Sequence, residues 1–145
     1  YTESSSGIGL GFGYLAKFRK DLNLGISLQN IGKMSLLDNE APQLPLRILI
    51  GSSKLFNLSM FSSTVYTSAE LNSLNSNINY KFNLGNKLTW KQMDILSGFS
   101  ISERVNYISL GLNIKLKKYE ISYGININSQ SLGEPQILSL KFQLP

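Results

Sequence analysis

The chain has neither cysteine nor histidine among its 145 residues. Without cysteine there are no disulfide bonds and no thiolate nucleophiles. Without histidine the chain also lacks the commonest zinc ligand and the base of the Ser/His and Cys/His catalytic arrangements. Enzymatic chemistry would therefore depend on carboxylates, lysine or tyrosine.

Acidic residues are also few, at nine in the chain. The closest pair, Asp38 and Glu40, falls in a predicted loop, where nothing in the sequence would hold two carboxylates in one geometry for acid–base catalysis. We interpret this pair as the solvated tip of the loop. The sequence thus predicts no enzyme, no metal site and no cofactor.

Long hydrophobic runs are missing as well. The longest apolar stretches have the length of a strand and fall short of the roughly 18 residues of a membrane-spanning helix. Mean hydropathy is −0.04, which a membrane β-barrel also reaches because its interior-facing residues are polar. Because the chain starts at Tyr1 and not at methionine, we expect it to be part of a longer protein.

The net charge of +5 raises the question of nucleic acid, whose phosphates attract lysine and arginine. Many of the cations fall at or beside predicted turns, where they keep strand ends hydrated. They are Arg19, Lys20, Lys87, Arg104, Lys117 and Lys118. Because no aromatic residues are interleaved with them as a base-stacking platform, we predict no nucleic-acid partner.

The dominant feature of the sequence is an alternation of period two, which is typical of β-strands. In residues 7–18, large apolar residues alternate with Gly7, Gly9, Gly11 and Gly13, and later segments alternate with serine, asparagine and single charges. The predicted strands are residues 7–18, 22–30, 45–55, 58–71, 74–82, 87–102, 105–116, 119–127 and 137–144. Turns are predicted at 19–21, 83–86 and 117–118, and longer loops at 33–44 and 128–136. About nine strands without an amphipathic helix predict an all-β fold.

Two all-β architectures fit this pattern. In a soluble sandwich the apolar faces meet in a core and the outer faces carry many charges. In an antiparallel up-and-down transmembrane β-barrel the apolar faces contact lipid. The long apolar faces, the Gly, Ser and Asn residues opposite them, and Tyr14 and Tyr119 near strand ends favour a barrel or part of one. The faces of segment 58–71 stay unassigned at this point.

The alternation also assigns residues to the predicted barrel interior. If the glycines of the first strand face inward, six charged residues do so too. These are Lys17, Arg47, Lys81, Lys115, Glu120 and Lys141. They are either hydrated or paired charges, or they attract an anionic solute. The glycines allow close backbone approach or a bend of the wall, and their spacing inside a strand does not match a dinucleotide-binding loop.

Two segments resemble a family of outer-membrane proteins. Residues 27–32 read SLQNIG, and residues 44–55 read LPLRILIGSSKL. A strand ending in Gln-Asn-Xaa-Gly, a loop with a proline such as Pro42 and a Leu-Pro strand entry are typical of the PorV/PorQ family, whose architecture is related to FadL fatty-acid transporters. Residues 107–142 resemble the closing strands of that family.

The resemblance implies a barrel in the bacterial outer membrane, of which residues 1–145 are the carboxyl-terminal part. It further implies a role in type IX protein secretion, by binding or tethering cargo proteins and not by catalysis. The expected partners are outer-membrane lipid and secreted cargo proteins or other secretion components. Loops 33–44 and 128–136 would contact the cargo. The alternatives are a FadL-like channel for hydrophobic solutes and a soluble β-sandwich or adhesin module.

Overall fold

In a computed structural model, the protein forms one antiparallel sheet of nine strands. The structure describes residues 6–35, 44–74, 77–103, 105–129 and 133–142. The strands are β1 (Gly7–Arg19), β2 (Leu22–Met34), β3 (Leu46–Asn57), β4 (Ser62–Leu74), β5 (Asn77–Trp90), β6 (Met93–Ser102), β7 (Tyr107–Leu116), β8 (Tyr119–Asn128) and β9 (Gln136–Phe142). Each strand pairs with its neighbour in sequence, and the sheet is open, with β1 and β9 as its edges. None of the described residues belongs to a helix with the length and apolarity needed to cross a membrane.

The all-β class and the up-and-down order of nine antiparallel strands are confirmed, but one predicted turn is wrong. Residues 83–86 lie in the middle of β5, and the chain reverses at Lys91 and Gln92 instead. Asn86 and Gly85 are usual turn residues, yet here they pair with β4 and β6. Strand β2 also extends to Met34, into the predicted loop 33–44. Asp38 and Glu40 lie outside the described residues.

The pairing register divides the sheet into two chemically different faces, since directly opposed residues in antiparallel strands point to the same side. The apolar face includes Ile8, Phe12, Tyr14, Ile26, Ile50, Leu71, Phe82, Phe99, Leu110, Ile121 and Leu140. The polar face includes Gly13, Ser27, Gly51, Ser68, Asn83, Gly98, Ser109, Asn126 and Ser139. Every strand therefore contributes large apolar residues to the same face, and a smaller number of apolar residues, such as Leu15, Leu49 and Tyr66, lie on the polar face.

The apolar face is uncovered. None of the hydrophobic side chains that the structure describes is buried, and Ile8 and Leu138 at the two edges are each 76% exposed. The chain exposes 11425 Å², whereas a compact protein of its mass exposes about 7,500 Å². The second layer that a sandwich requires is not found in the described ranges.

A β-bulge at Asn30 keeps β1 and β2 in this register. Between the pairs Leu10–Ile31 and Phe12–Leu28, β2 contains one residue more than β1. Asn30 takes up the extra residue with a left-handed φ of 63°, a conformation that asparagine tolerates better than most residues. Its side-chain amide donates a hydrogen bond of 2.9 Å to the carbonyl of Pro45. The bulge therefore ties the start of β3 to β2.

Gly32 is the second element of this bulge. A Cβ atom at Gly32 would overlap the carbonyl oxygen of Ile8 in β1. Only glycine therefore fits without a backbone shift. In structural terms the Gln-Asn-Xaa-Gly segment is a bulge motif, and the Leu-Pro segment provides its hydrogen-bond acceptor.

The two ends of the sheet differ in their connections. At one end, here called the short-turn end, the strands are joined by residues 20–21, 58–61, 91–92 and 117–118. At the other, the loop end, they are joined by residues 35–45, 75–76, 103–106 and 129–135. The two longest connections thus leave from the same end.

We predict that Gly32→Ala lowers the free energy of unfolding by roughly 1–3 kcal/mol, since the methyl group forces the β1 backbone to move. The matched control is Gly124→Ala, where the nearest atom to the new methyl group would be the carbonyl oxygen of Leu110 at 3.7 Å. We expect the control to change stability by about 0.5–1 kcal/mol at most. Urea titration followed by fluorescence of Trp90, the single tryptophan, measures both. Equal effects of the two variants would contradict this account of the bulge.

Candidate functional site

The candidate site is the polar face of the sheet, because all of the predicted interior residues lie there. The register places Gly7, Gly9, Gly11, Gly13, Lys17, Arg47, Lys81, Lys115, Glu120 and Lys141 on this face. They do not form one cluster. Arg47 and Lys81 lie toward the loop end, and Lys17, Lys115, Glu120 and Lys141 lie toward the short-turn end.

The first charged cluster is centred on Glu70 of β4. Arg47 donates a hydrogen bond of 2.7 Å from Nη2 to Oε2 of Glu70, and Asn72 donates one of 2.7 Å to Oε1. Lys81 is directly opposite Glu70 on β5. Glu70 is only 9% exposed, so its charge is held by neighbouring strands more than by water. Arg47 therefore has a carboxylate partner and is not a free cation.

The second cluster is centred on Asp94 at the start of β6, which is 3% exposed. Its carboxylate accepts hydrogen bonds from Lys115 Nζ at 2.7 Å and from Thr89 Oγ1 at 2.8 Å. Lys87 Nζ lies 3.8 Å away, and Asn113 bridges Asp94 and Glu120 through its amide at 3.4 and 2.8 Å. Four strands, β5 to β8, are thus linked through one buried carboxylate.

Between the two clusters the polar face forms a trough of about 740 Å³. Its floor contains Gly13, Gly25, Gly51, Gly85 and Gly98. Its other lining residues on this face include Leu15, Leu49, Tyr66, Asn83 and Ser100. The middle of the polar face is consequently shallow and has a partly apolar lining.

Several glycines of this face accommodate a larger neighbour. A Cβ at Gly25 would lie 3.4 Å from Leu15 Cδ1, and one at Gly111 would lie 3.5 Å from Leu96 Cδ1. In β1, a Cβ at Gly7 would lie 3.0 Å from Met34 Cγ. A large residue beside a small one is common where side chains fill the concave side of a curved sheet. These glycines thus leave room for side chains of the same chain.

Cations are concentrated at the short-turn end. Ten of the fourteen lysines and arginines lie in its turns or in the adjacent four residues of a strand, against three acidic residues. The cations are Lys17, Arg19, Lys20, Lys54, Lys87, Lys91, Lys115, Lys117, Lys118 and Lys141, and the acids are Asp21, Asp94 and Glu120. We call this set the basic rim. Its net charge of +7 exceeds that of the whole chain.

The alternation pattern did not reveal three residues of these clusters. The alternation does not assign a face to Glu70, because the faces of segment 58–71 are ambiguous in the sequence. It does not assign Asp94, because the predicted strand 87–102 combines the end of β5 with β6. Lys87 was predicted to lie beside a turn but belongs to β5. In a strand that continues through residues 83–86, the period of two places Lys87 on the same face as Lys81 and Asn83, which is the polar face.

The acidic residues of the polar face are paired with neighbouring donors and do not gather into a group of potential metal ligands within the described ranges. Nowhere in the ranges that the structure describes do three or more His, Cys, Asp or Glu residues come together as a metal site. Both buried carboxylates have lysine, arginine or amide partners. The two charged clusters can stabilise the sheet by linking neighbouring strands, and the polar face can contact a solute or a protein segment.

We predict that Asp94→Ala lowers the free energy of unfolding by about 1–3 kcal/mol, since the buried Asn113 and the half-buried Thr89 each lose this acceptor. The control is Lys17→Ala on the same face. Lys17 is exposed and makes no ion pair with the residues that the structure describes, so we expect a change within about 0.5 kcal/mol. Urea titration again provides the measurement. A loss at Asp94 no larger than that at Lys17 would mean that the cluster does not stabilise the sheet.

Comparison with known proteins gives no further identification. No protein-family model matches the chain, and neither a curated protein nor a solved structure matches it. The resemblance to the PorV/PorQ family is therefore a prediction that depends on the sequence motifs.

Proposed function

We propose that this chain forms part of the wall of a transmembrane β-barrel in the bacterial outer membrane. The observation that carries the proposal is the uncovered apolar face, which continues across all nine strands without a buried hydrophobic side chain among the described residues. In water such a face would be an extreme aggregation liability. In a bilayer the same face contacts lipid, and the polar face lines the interior.

The strand lengths and the ends of the sheet support this proposal. Eight strands have between 10 and 14 residues, and a tilted strand needs about 9–11 to cross a bilayer. At the short-turn end the apolar face carries Phe56, Trp90, Tyr119 and Phe142, in the position of an interfacial aromatic girdle. The two longest connections, residues 35–45 and 129–135, leave from the same end, and longer loops at one end are also typical of outer-membrane barrels.

The proposal also accounts for the two unpaired edges of the sheet, at β1 and β9. A strand in lipid cannot leave its backbone N–H and C=O groups unpaired, and β1 and β9 each have one free edge in this sheet. We therefore expect further strands to pair with both edges and close the barrel. The nine strands would then be one sector of its wall.

Within this architecture, the sequence resemblance favours a PorV/PorQ-type role in type IX secretion, in which the loop end binds or tethers cargo proteins. The two motifs that carry the resemblance meet at the Asn30–Pro45 hydrogen bond. This bond joins β2 to the residue before β3, where the long connection between the two strands returns to the sheet. A binding loop held by a rigid wall is a common arrangement for recognition.

A second candidate is a channel for hydrophobic solutes. It is favoured by the trough of about 740 Å³ on the polar face, where Leu15, Leu49 and Tyr66 provide apolar contacts. A volume of this size falls within the usual range for small-molecule sites. The two candidates share the same barrel and differ in what the polar face and loops contact.

We predict that the apolar face contacts lipid tails, and tryptophan quenching can test this. In a Trp90→Phe background, Leu110→Trp places the only tryptophan on the apolar face and Ser109→Trp places it on the polar face. In vesicles containing brominated phosphatidylcholine we expect strong quenching at residue 110 and much weaker quenching at residue 109. Equal quenching, or a protein that is monodisperse in water without detergent, would contradict the membrane proposal.

The secretion role and the channel role predict different bound molecules. If the loops bind cargo, secreted proteins are retained by the full-length protein, and deleting residues 130–132 from the connection between β8 and β9 abolishes retention. If the trough binds hydrophobic solutes, mass spectrometry of the purified protein detects bound lipid, and Gly51→Trp, which fills the trough, removes it. If the deletion variant still retains secreted proteins, the secretion role is contradicted. If lipid is still bound to the Gly51→Trp variant, the channel role is contradicted.

A further inference from the structure

The basic rim contains a second, smaller cavity. Its volume is about 320 Å³, and it lies at the β7–β8 turn, between the turn after β5 and the end of β9. Its charged lining consists of Lys115, Lys117, Lys118, Lys141 and Glu120. Four positive charges against one negative charge make this cavity an attractive site for an anion.

Three of the four lysines are available to a ligand. Lys115 is bound to Asp94 at 2.7 Å, so its charge is largely balanced. Lys117, Lys118 and Lys141 are exposed, and in the part of the chain that the structure describes they form no ion pair. The cavity therefore has more positive charge than the protein itself neutralises.

The position of the cavity indicates what kind of anion it can bind. Its lining crosses the rim from the polar-face residues Lys115, Glu120 and Lys141 to Leu116 and Tyr119 of the apolar face. The Tyr119 ring meets the Phe142 ring edge to face, with centroids 5.3 Å apart. An occupant can thus place a charged group among the lysines and an apolar chain along the adjacent face.

The cavity is also held by backbone contacts. The N–H of Lys115 donates a hydrogen bond of 2.8 Å to the carbonyl of Gln92, which itself lines the cavity. Lys115 and Glu120 are directly opposed on β7 and β8, and Glu120 and Lys141 on β8 and β9. The lysines at 115 and 141 are consequently positioned by paired strands, whereas those at 117 and 118 are on the turn.

We propose that this cavity binds the phosphate headgroup of an anionic phospholipid, whose acyl chains lie along the apolar face beside Tyr119. The inference rests on the proposed membrane location. Phosphate is a good ligand for several lysines, and an interfacial cavity joins the charged and apolar parts that such a lipid requires. The site would hold one lipid at the short-turn end of β7, β8 and β9.

The test uses the full chain in detergent, titrated with phosphatidylglycerol or phosphatidylcholine and followed by native mass spectrometry. We expect preferential binding of one phosphatidylglycerol. The variant Lys117→Gln/Lys118→Gln should weaken this binding roughly 25-fold, at about fivefold per lysine. The matched control is Arg19→Gln/Lys20→Gln, which removes two cations of the same rim outside the cavity and should change binding less than about threefold.

Each outcome decides the inference. No preference for phosphatidylglycerol, or equal losses in the two double variants, would overturn it. Competition by free glycerol 3-phosphate as strong as that by the lipid would also overturn it, because the ligand would then be a soluble anion. Insertion of the unchanged protein into neutral phosphatidylcholine vesicles is measured separately. If insertion occurs without headgroup preference, only the headgroup site is wrong. If insertion fails, the proposed membrane function is wrong.

Discussion

The structure depends on a pairing register that keeps the apolar and the polar face of the sheet apart. In a strand, a shift of one residue would move every apolar side chain to the opposite side of the sheet. Each of the eight strand pairings places some apolar residues opposite apolar residues on the apolar face. The one strand pair that would lose this order, β1 with β2, is corrected by the extra residue at Asn30. Without that bulge, Leu10 and Ile31 would lie on different faces.

The polar face contains two buried carboxylates, although the described residues of the sheet include no buried hydrophobic side chain. Glu70 and Asp94 each take partners from neighbouring strands. The resulting networks cross β3–β5 and β5–β8, so that charge pairing adds side-chain links to the backbone ladder. The glycine-rich trough between them leaves the middle of the face open.

Much of the fold follows from the sequence, because period two is a local property of each strand. The first two strands and the pair 105–116 and 119–127 could be predicted from alternation and their charged turns. Segment 83–86 could not, since Asn and Gly are equally suited to a turn and to the small, polar side of a strand. The clusters at Glu70 and Asp94 required the correct turn at Lys91 and Gln92, because pairing between strands is a long-range property.

The Asn30–Pro45 hydrogen bond also has a mechanical consequence. It joins the last part of β2 to the first part of β3 at 2.9 Å, on either side of the connection formed by residues 35–45. A pull on the β2 end of that connection therefore acts first on the pairing of Lys33 and Met34 with β1. It reaches Asn30 only after these pairs. At Asn30 the load is shared by three strands, because the bulge pairs with β1 and its side chain bonds to the residue before β3.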